Sequence, residues 1–232
     1  MTGRPSDAEV ARTLVDGHLL AEATVPWLGC PMVVRHAPDD DGHLLLLLDA
    51  NHPVARVGIA GARSAAVVTV WDVAPWPAPD RVRGRVQVGG QLASVAPELR
   101  RTAAEVVAAR HGAAARRLID GPAWVLRLEV TQVRLERDGR ARPVTPEAYA
   151  AARPDPLAGR EDAVLRHVLR SRPGVLGRLL PDAVAGEHIT VRRLDRYGMD
   201  LDVDGVEARI VFPWRLRCRR DLAAALRELA PA

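Results

Sequence analysis

The spacing of apolar and polar positions changes several times along this chain, and each change marks an expected element boundary. Ser6-Asp7-Ala8-Glu9 has the spacing of a capping box, and Val10, Leu14 and His18 follow at helical intervals, which predicts a first helix. Ala21 to Val25 and Met32 to His36 then read as strands, joined by a turn at Trp27-Leu28-Gly29-Cys30-Pro31. Pro38-Asp39-Asp40-Asp41-Gly42 predicts a hairpin loop before a largely buried strand from His43 to Asp49. A short helix is expected within Asn51–Ile59, and a strand over Ala65–Trp71. The three prolines of Val73–Asp80 predict an irregular loop. Val82, Gly84, Val86 and Val88 alternate in a long strand from Arg81 to Ala93. Pro97 to Ile119 reads as one helical stretch, and Trp124, Leu126, Leu128 and Val130 alternate again. About six strands with inserted helices predict a small antiparallel barrel. No glycine-rich loop opens a helix after a strand, which disfavours a doubly wound nucleotide fold.

A second region follows a run of prolines. The expected division is a barrel domain over 1–145, a proline-rich linker over 146–157 and a compact domain over 158–232. In the last, a helix from about Gly159 to Ser171 stops at Pro173-Gly174. Strands are expected over Glu187–Leu194, Met199–Val203 and Val206–Phe212. Asp204-Gly205 is a strong hairpin signal. A closing helix with Asp221 as N-cap presents Leu222, Leu226 and Leu229 on one face.

Composition sharpens the picture at one point. All 33 cations among the 232 residues are arginine, since the chain has no lysine. That excludes chemistry that depends on a Walker A, Schiff-base or kinase lysine. The net charge of +4 is modest and the arginines are interspersed with acids, so a nucleic-acid partner is not expected. Two cysteines form no disulfide framework. No apolar run reaches membrane-span length and the N-terminus has no signal-peptide core, so the expectation is a soluble cytoplasmic protein without a membrane partner.

The order of parts resembles the pyridoxamine 5′-phosphate oxidase-like, FMN-binding split β-barrel superfamily. In particular it resembles the HugZ-type haem-utilisation proteins and the glutamyl-tRNA reductase-binding proteins, in which such a barrel precedes a small domain. The matching residues are Ala23-Thr24, Gly29-Cys30-Pro31, Asp41-Gly42 before Leu44–Leu48, Arg56, Arg63-Ser64 and Gly84. In the C-terminal part they are Asp195-Arg196-Tyr197-Gly198-Met199-Asp200-Leu201 and Val211-Phe212-Pro213. The chain departs from the family at Val54, where a histidine is usual, at Arg160-Glu161-Asp162 and at Arg137-Asp138-Gly139. It also lacks the lysines that hold flavin phosphate. The resemblance implies an α+β protein, a split β-barrel followed by a small α/β domain with three strands and flanking helices. It also implies a homodimer with ligand sites at the subunit interface. Its functional implication is binding of haem or another planar anionic molecule, with oxidative haem cleavage as a related activity. A flavin or deazaflavin oxidoreductase, or a non-enzymatic regulator that binds a partner protein, are the alternatives.

Haem iron takes a neutral imidazole nitrogen, and guanidinium forks suit its carboxylates. The candidate iron ligands are His52, before Pro53, and His167 on the expected helix. The candidate cofactor contacts are these two with Arg56, Arg63, Ser64 and Arg83. Arg81, Arg83 and Arg85 alternate along one strand, as an anion-binding row or a solvated face. Trp71 and Trp76 bracket the proline loop, lining a ligand slot or covering the barrel end. His36 and His43 are expected to be solvated beside the acidic hairpin, His18 to pack, and His111 and His188 to lie at the surface. Cys30 reads as a packed or idle thiol. Ser64 has no evident triad partners. Asp200, Asp202 and Asp204 lack the rest of a calcium loop and read as strand alternation.

Overall fold

The computed structural model describes residues 3–74, 81–171, 176, 179 and 188–229, with the backbone alone at 167–171 and 219. Two compact units result. One comprises residues 7–73 and 82–154, and the other the described parts of 1–6, 74–81 and 155–232.

In the first unit, α1 (Asp7–Leu14) precedes β1 (Ala21–Thr24), β2 (Met32–Pro38) and β3 (Leu44–Asp49). A 3-10 turn at Pro53–Ala55 and α2 (Arg56–Ile59) lead to β4 (Ser64–Val73) and β5 (Val82–Ser94). Then come α3 (Arg100–His111), α4 (Ala113–Ile119), β6 (Ala123–Arg137), β7 (Arg140–Val144) and α5 (Pro146–Ala151). The strands run in the order β3-β2-β1-β4-β5-β6-β7, and β3 also pairs with β6. Six antiparallel strands therefore close into a barrel and β7 extends the far half of β6.

The leucine run explains how the barrel is covered. Leu44, Leu46 and Leu48 join Val68, Val70, Val86, Val88, Leu126 and Leu128 in the interior, with Val10, Leu14 and Val15 against them. Leu45 and Leu47 point the other way, under Ala104, Val107 and Ala108 of α3. Both faces of β3 are buried, so its polar alternation disappears. Each buried leucine contributes about 2 kcal/mol.

Three features differ from the sequence expectation. The helical stretch 97–119 is broken at Gly112, whose φ of 68° ends α3 in the left-handed region. Strand β7 was not anticipated. Asp138 (φ 52°) and Gly139 (φ 69°) form the two-residue turn that pairs Arg137 with Arg140. The segment after Thr145 carries α5, capped where the Thr145 hydroxyl accepts the Ala148 N–H at 3.2 Å, and α5 buries Tyr149.

In the second unit, α6 (Glu161–Ser171), β8 (Ile189–Asp195), β9 (Gly198–Val203), β10 (Val206–Val211) and α7 (Arg219–Leu229) surround one core. The strands are antiparallel, ordered β10-β9-β8. Asp204 (φ 50°) and Gly205 (φ 86°) form the expected hairpin turn. The Asp195–Leu201 segment is held by charge. The Asp195 carboxylate accepts the N–H groups of Tyr197 (2.8 Å) and Gly198 (3.1 Å) and the buried Arg209 guanidinium (2.9 Å). Arg209 also donates to Asp200 and to the Gly3 carbonyl, each at 2.7 Å. Asp221 sits in the first turn of α7 and not at its N-cap. Its carboxylate reaches back to the Arg217 and Cys218 N–H groups, as the third residue of a capping box does. The loop at 75–80 with Trp76, the Pro173-Gly174 stop and Glu187 lie outside the described residues.

Gly84 adopts φ 154°, and a Cβ there would lie 2.3 Å from the Glu136 carbonyl oxygen. Gly84→Ala is expected to destabilise the protein by about 2 kcal/mol or more. Gly29→Ala, in open space, should stay within about 0.5 kcal/mol. Urea unfolding compares them, and equal effects would refute the assignment.

Candidate functional site

Strand β2 outlasts both of its neighbours. β1 pairs with Met32, Val33 and Val34, and β3 pairs with Arg35 to Pro38. The backbone of Val33 therefore lies beyond the last pair that β2 makes with β3, Arg35 with Leu47, and that of His36 faces the place where β1 has not begun. Each gap is filled by an imidazole. His52 places Nε2 3.0 Å from the Val33 carbonyl, and His111, at the end of α3, places Nε2 2.7 Å from the His36 carbonyl. The outward face of β2 between them carries exposed Val33 and half-buried Arg35.

The two rings differ in what they leave free. Nδ1 of His52 accepts the Val54 N–H at 3.3 Å, so Nε2 carries the proton and donates to Val33. Both nitrogens are engaged. Nε2 of His111 lies 2.7 Å from the His36 carbonyl and 3.2 Å from the His36 N–H, and in the tautomer that donates to the carbonyl the lone pair falls on Nδ1. Burial lowers the His111 pKa first, with Arg35 adding to it, while the hydrogen bond to His36 opposes both.

Behind the strand lies a buried polar layer. Ala21 of β1 pairs with both Val34 and Val70, so His36 and Asp72, two residues further along, flank the start of β1. Both side chains are buried in the barrel with Val34, Val68 and Val70. Asp72 accepts two hydrogen bonds from Arg83, at 2.6 and 2.9 Å. His18 lies close enough for Asp72, Arg83 and Arg110 to act on it. Arg110 pairs with Asp16 at 3.1 Å. Neither ring nitrogen of His36 has a well-formed hydrogen bond. Burial lowers its pKa to about 3, helped by His111 and His18 and opposed by the Val15 carbonyl. Burial likewise lowers His18 to about 4. His36, expected in solvent, is thus fully enclosed. Its place in β2, alternating with Val34 on the interior side, was the signal available for that.

The other sequence candidates are dispersed. Arg56 is exposed on α2. Arg63 pairs with Glu129, and the Ser64 hydroxyl donates to the Ala65 carbonyl at 3.1 Å. Arg83 lies at the other end of the same ladder. Ser64 pairs with Leu92 and Asp72 with Gly84, a separation of about 26 Å along the strand. The chain thus brings Arg63 and Ser64 together and keeps Arg83 apart from them. Arg81, Arg83 and Arg85 form no common row. Arg81 donates to the Ala74 carbonyl, and Arg85 pairs with Glu136 at 2.7 Å and lies over the Trp71 ring. His43 accepts the Val130 N–H on Nδ1, and Cys30 is exposed. The His167 side chain lies outside the described residues. No group of three metal-binding side chains converges among the described residues, and none of the described helices is long and apolar enough to cross a membrane.

No protein-family profile matches the chain, and no curated protein matches it. Among solved structures, the chain is similar to the haem-binding protein of Mycobacterium smegmatis. The identity is 27%, the TM-score 0.70, and the match covers 98% of this chain and 97% of that one. Lower-scoring matches include the FAD- and haem-binding protein of the same organism (18% identity, TM-score 0.39, 62% of this chain and 75% of that one). Another is a protein of unknown function from Agrobacterium tumefaciens (21%, TM-score 0.47, 96% and 94%).

The buried histidines make stability depend on pH. An unfolded histidine titrates near 6.5, whereas folded His18 and His36 resist protons until about pH 4 and about 3. Below pH 6.5 the unfolded chain therefore binds more protons, and stability falls as the pH drops. The slope approaches about 1.4 kcal/mol per pH unit for each histidine. Urea midpoints from about pH 7.5 to 4.5 measure it. His36→Leu should flatten the profile, and a wild-type midpoint that stays level to pH 5 would overturn the account.

Proposed function

We propose that this chain binds haem, as a planar molecule bearing two carboxylates. The observation that carries the reading is the whole-length likeness, across both units, to a haem-binding protein at 27% identity. The residues on and beside β2 suit such a ligand. Haem, when bound, supplies an iron that takes a neutral imidazole nitrogen as axial donor. Of the described histidines, His52 has both nitrogens engaged. His43 accepts on Nδ1, which leaves its proton on Nε2, and the unpartnered nitrogens of His36 and His18 are buried in the barrel's polar layer. His188 is exposed at the edge of the second unit's sheet. His111 is held at Nε2 by the backbone of His36 and has no partner on Nδ1 among the described residues, and donation to the carbonyl, the shorter contact, puts a lone pair on Nδ1, the arrangement that orients a metal-binding histidine. Its depressed pKa keeps it neutral at pH 7.

Arg35 adds the charge. It shares the outward face of β2 with Val33, acts electrically on His111, and has no ion pair among the described residues. A guanidinium so placed matches a propionate. Arg56 is a second cation without an acidic partner among the described residues. Arg63 and Arg83 are already neutralised by Glu129 and Asp72. The assignment thus keeps Arg56 and moves from His52, Arg63 and Arg83 to His111 and Arg35. Oxidative haem cleavage is the reaction to look for once binding is shown.

Hemin titration of the purified protein is the test. A saturable Soret band at one haem per chain is expected. His111→Ala should shift that band and weaken binding by about tenfold or more, whereas His52→Ala should leave the band in place. A flat titration overturns the haem reading. With a bound yellow chromophore it favours the flavin alternative, and with neither it favours a partner-binding regulator. Binding that is unchanged in His111→Ala overturns the ligand assignment alone.

The proposal includes a homodimer. The outward sides of β2 and β4 expose Val33 and Val67, at 58% and 38%, on the flank that α3 and α4 leave bare. Sedimentation should give twice the mass of one chain, and Val33→Asp with Val67→Asp should give a monomer. A monomeric wild type would overturn the dimer.

A further inference from the structure

Apart from the haem reading, a cavity of about 380 Å³ in the second unit is lined by Arg160, Arg217, Arg220, Pro156, Leu157 and Cys218. Three exposed arginines line it, and none makes a hydrogen bond or ion pair from its side chain among the described residues. Elsewhere in the same unit Arg166 pairs with Asp162, Arg192 with Glu207, Arg196 with Asp155, and Arg209 with Asp195 and Asp200.

The carboxylates around the cavity are engaged elsewhere. Asp155 accepts the N–H groups of Leu157 and Arg196, each at 2.7 Å. Glu161 accepts the Leu194 N–H at 2.7 Å. Asp162 is held by Arg166. Asp221 is the acid whose field Arg217 feels, and its oxygens accept the Arg217 and Cys218 N–H groups and the Cys218 thiol. Among the described residues, three permanent positive charges thus line a cavity whose nearby carboxylates are already hydrogen-bonded. Guanidiniums cannot deprotonate to relieve their repulsion. A bound anion relieves it, and each guanidinium presents a fork of donors to anionic oxygens.

We infer that this cavity binds a small molecule carrying clustered anionic oxygens, phosphate or carboxylate, clamped by Arg160, Arg217 and Arg220. Leu157, which is 1% exposed, supplies an apolar wall. The volume suits a small polyanion and not a macrocycle.

Cys218 lies at the cavity and reports on it, and exposed Cys30 is an internal control. The full-length protein is alkylated with iodoacetate, an anion, or with neutral iodoacetamide. In each case the thiol sulfur displaces iodide to form an S–C bond and the thiol proton passes to buffer. Mass spectrometry reads the modification of each cysteine. Iodoacetate should favour Cys218 over Cys30 by several-fold more than iodoacetamide does. Pyrophosphate or citrate at constant ionic strength should suppress modification of Cys218 and not of Cys30, and the stronger competitor identifies phosphate or carboxylate as the source of the anion. Arg160→Gln/Arg217→Gln/Arg220→Gln should lose both the preference and the protection, while Arg227→Gln, further along α7, keeps them. Equal reagent ratios at the two cysteines would overturn the inference, and so would protection that persists in the triple variant. If the triple variant does not fold, the wild-type ratios and competition decide.

Discussion

Every buried backbone N–H and C=O needs a partner, and in this barrel that demand is hardest to meet along β2. Its neighbours pair with different halves of it, so one edge is left open at Val33 and the other at His36. A loop carbonyl or a water serves such a gap in many proteins. Here imidazoles serve it, brought from the turn after β3 and from the last residue of α3. The ring of His111 can reach the strand because α3 packs its alanine face on Leu45, Leu47 and Ala37. The same packing buries the outer side of β3. The covering helix, the closed barrel and the placement of His111 therefore have one cause.

The open end of β1 has a second consequence. Without a strand to fill the space beside His36 and Asp72, the turn after α1 closes the barrel with His18 and the Asp16–Arg110 pair. Gly17 makes this possible, because a Cβ there would lie 2.6 Å from the His36 carbonyl oxygen. Burying Asp72 requires the Arg83 guanidinium beside it, since a lone carboxylate at 2% exposure would be too costly. Arg83, singled out as an anion contact, thus serves as the counter-ion of the barrel's own acid. The polar layer is neutral overall where it is deepest, with His18 and His36 held uncharged by burial.

Much of the fold was legible because its signals are local. Asp204-Gly205 specifies a hairpin through two left-handed residues, and the chain folds it so. The same dipeptide at Asp138-Gly139 went unread because the strand behind it, Arg140–Val144, has almost no apolar pattern. It is an edge strand, and it carries a proline. Gly112 was invisible within an otherwise helical stretch. The site was less legible than the fold. His36 and His43 flank an acidic loop and look alike in sequence, yet strand alternation sends His36 into the barrel and leaves His43 half-exposed. No spacing along the chain places His111 against His36, because that contact spans 75 residues and depends on how α3 crosses the barrel.

A chain whose only strong base is arginine faces a particular constraint. Lysine can be buried by giving up its proton, and arginine cannot. Each arginine that leaves solvent must therefore bring an acid, an aromatic face or a carbonyl with it. Arg83, Arg85, Arg209 and Arg12 do so, with Asp72, with Glu136 and Trp71, with Asp195 and Asp200, and with the Tyr149 ring. Where guanidiniums stand unmatched among the described residues beside a feature that needs charge, the placement becomes informative. Arg35 stands close enough to act on His111, whose Nδ1 has no partner among the described residues. Arg160, Arg217 and Arg220 stand around a cavity whose acids are already hydrogen-bonded. In both places the charge balance is completed most simply from outside the chain, by a carboxylate or phosphate that arrives as ligand.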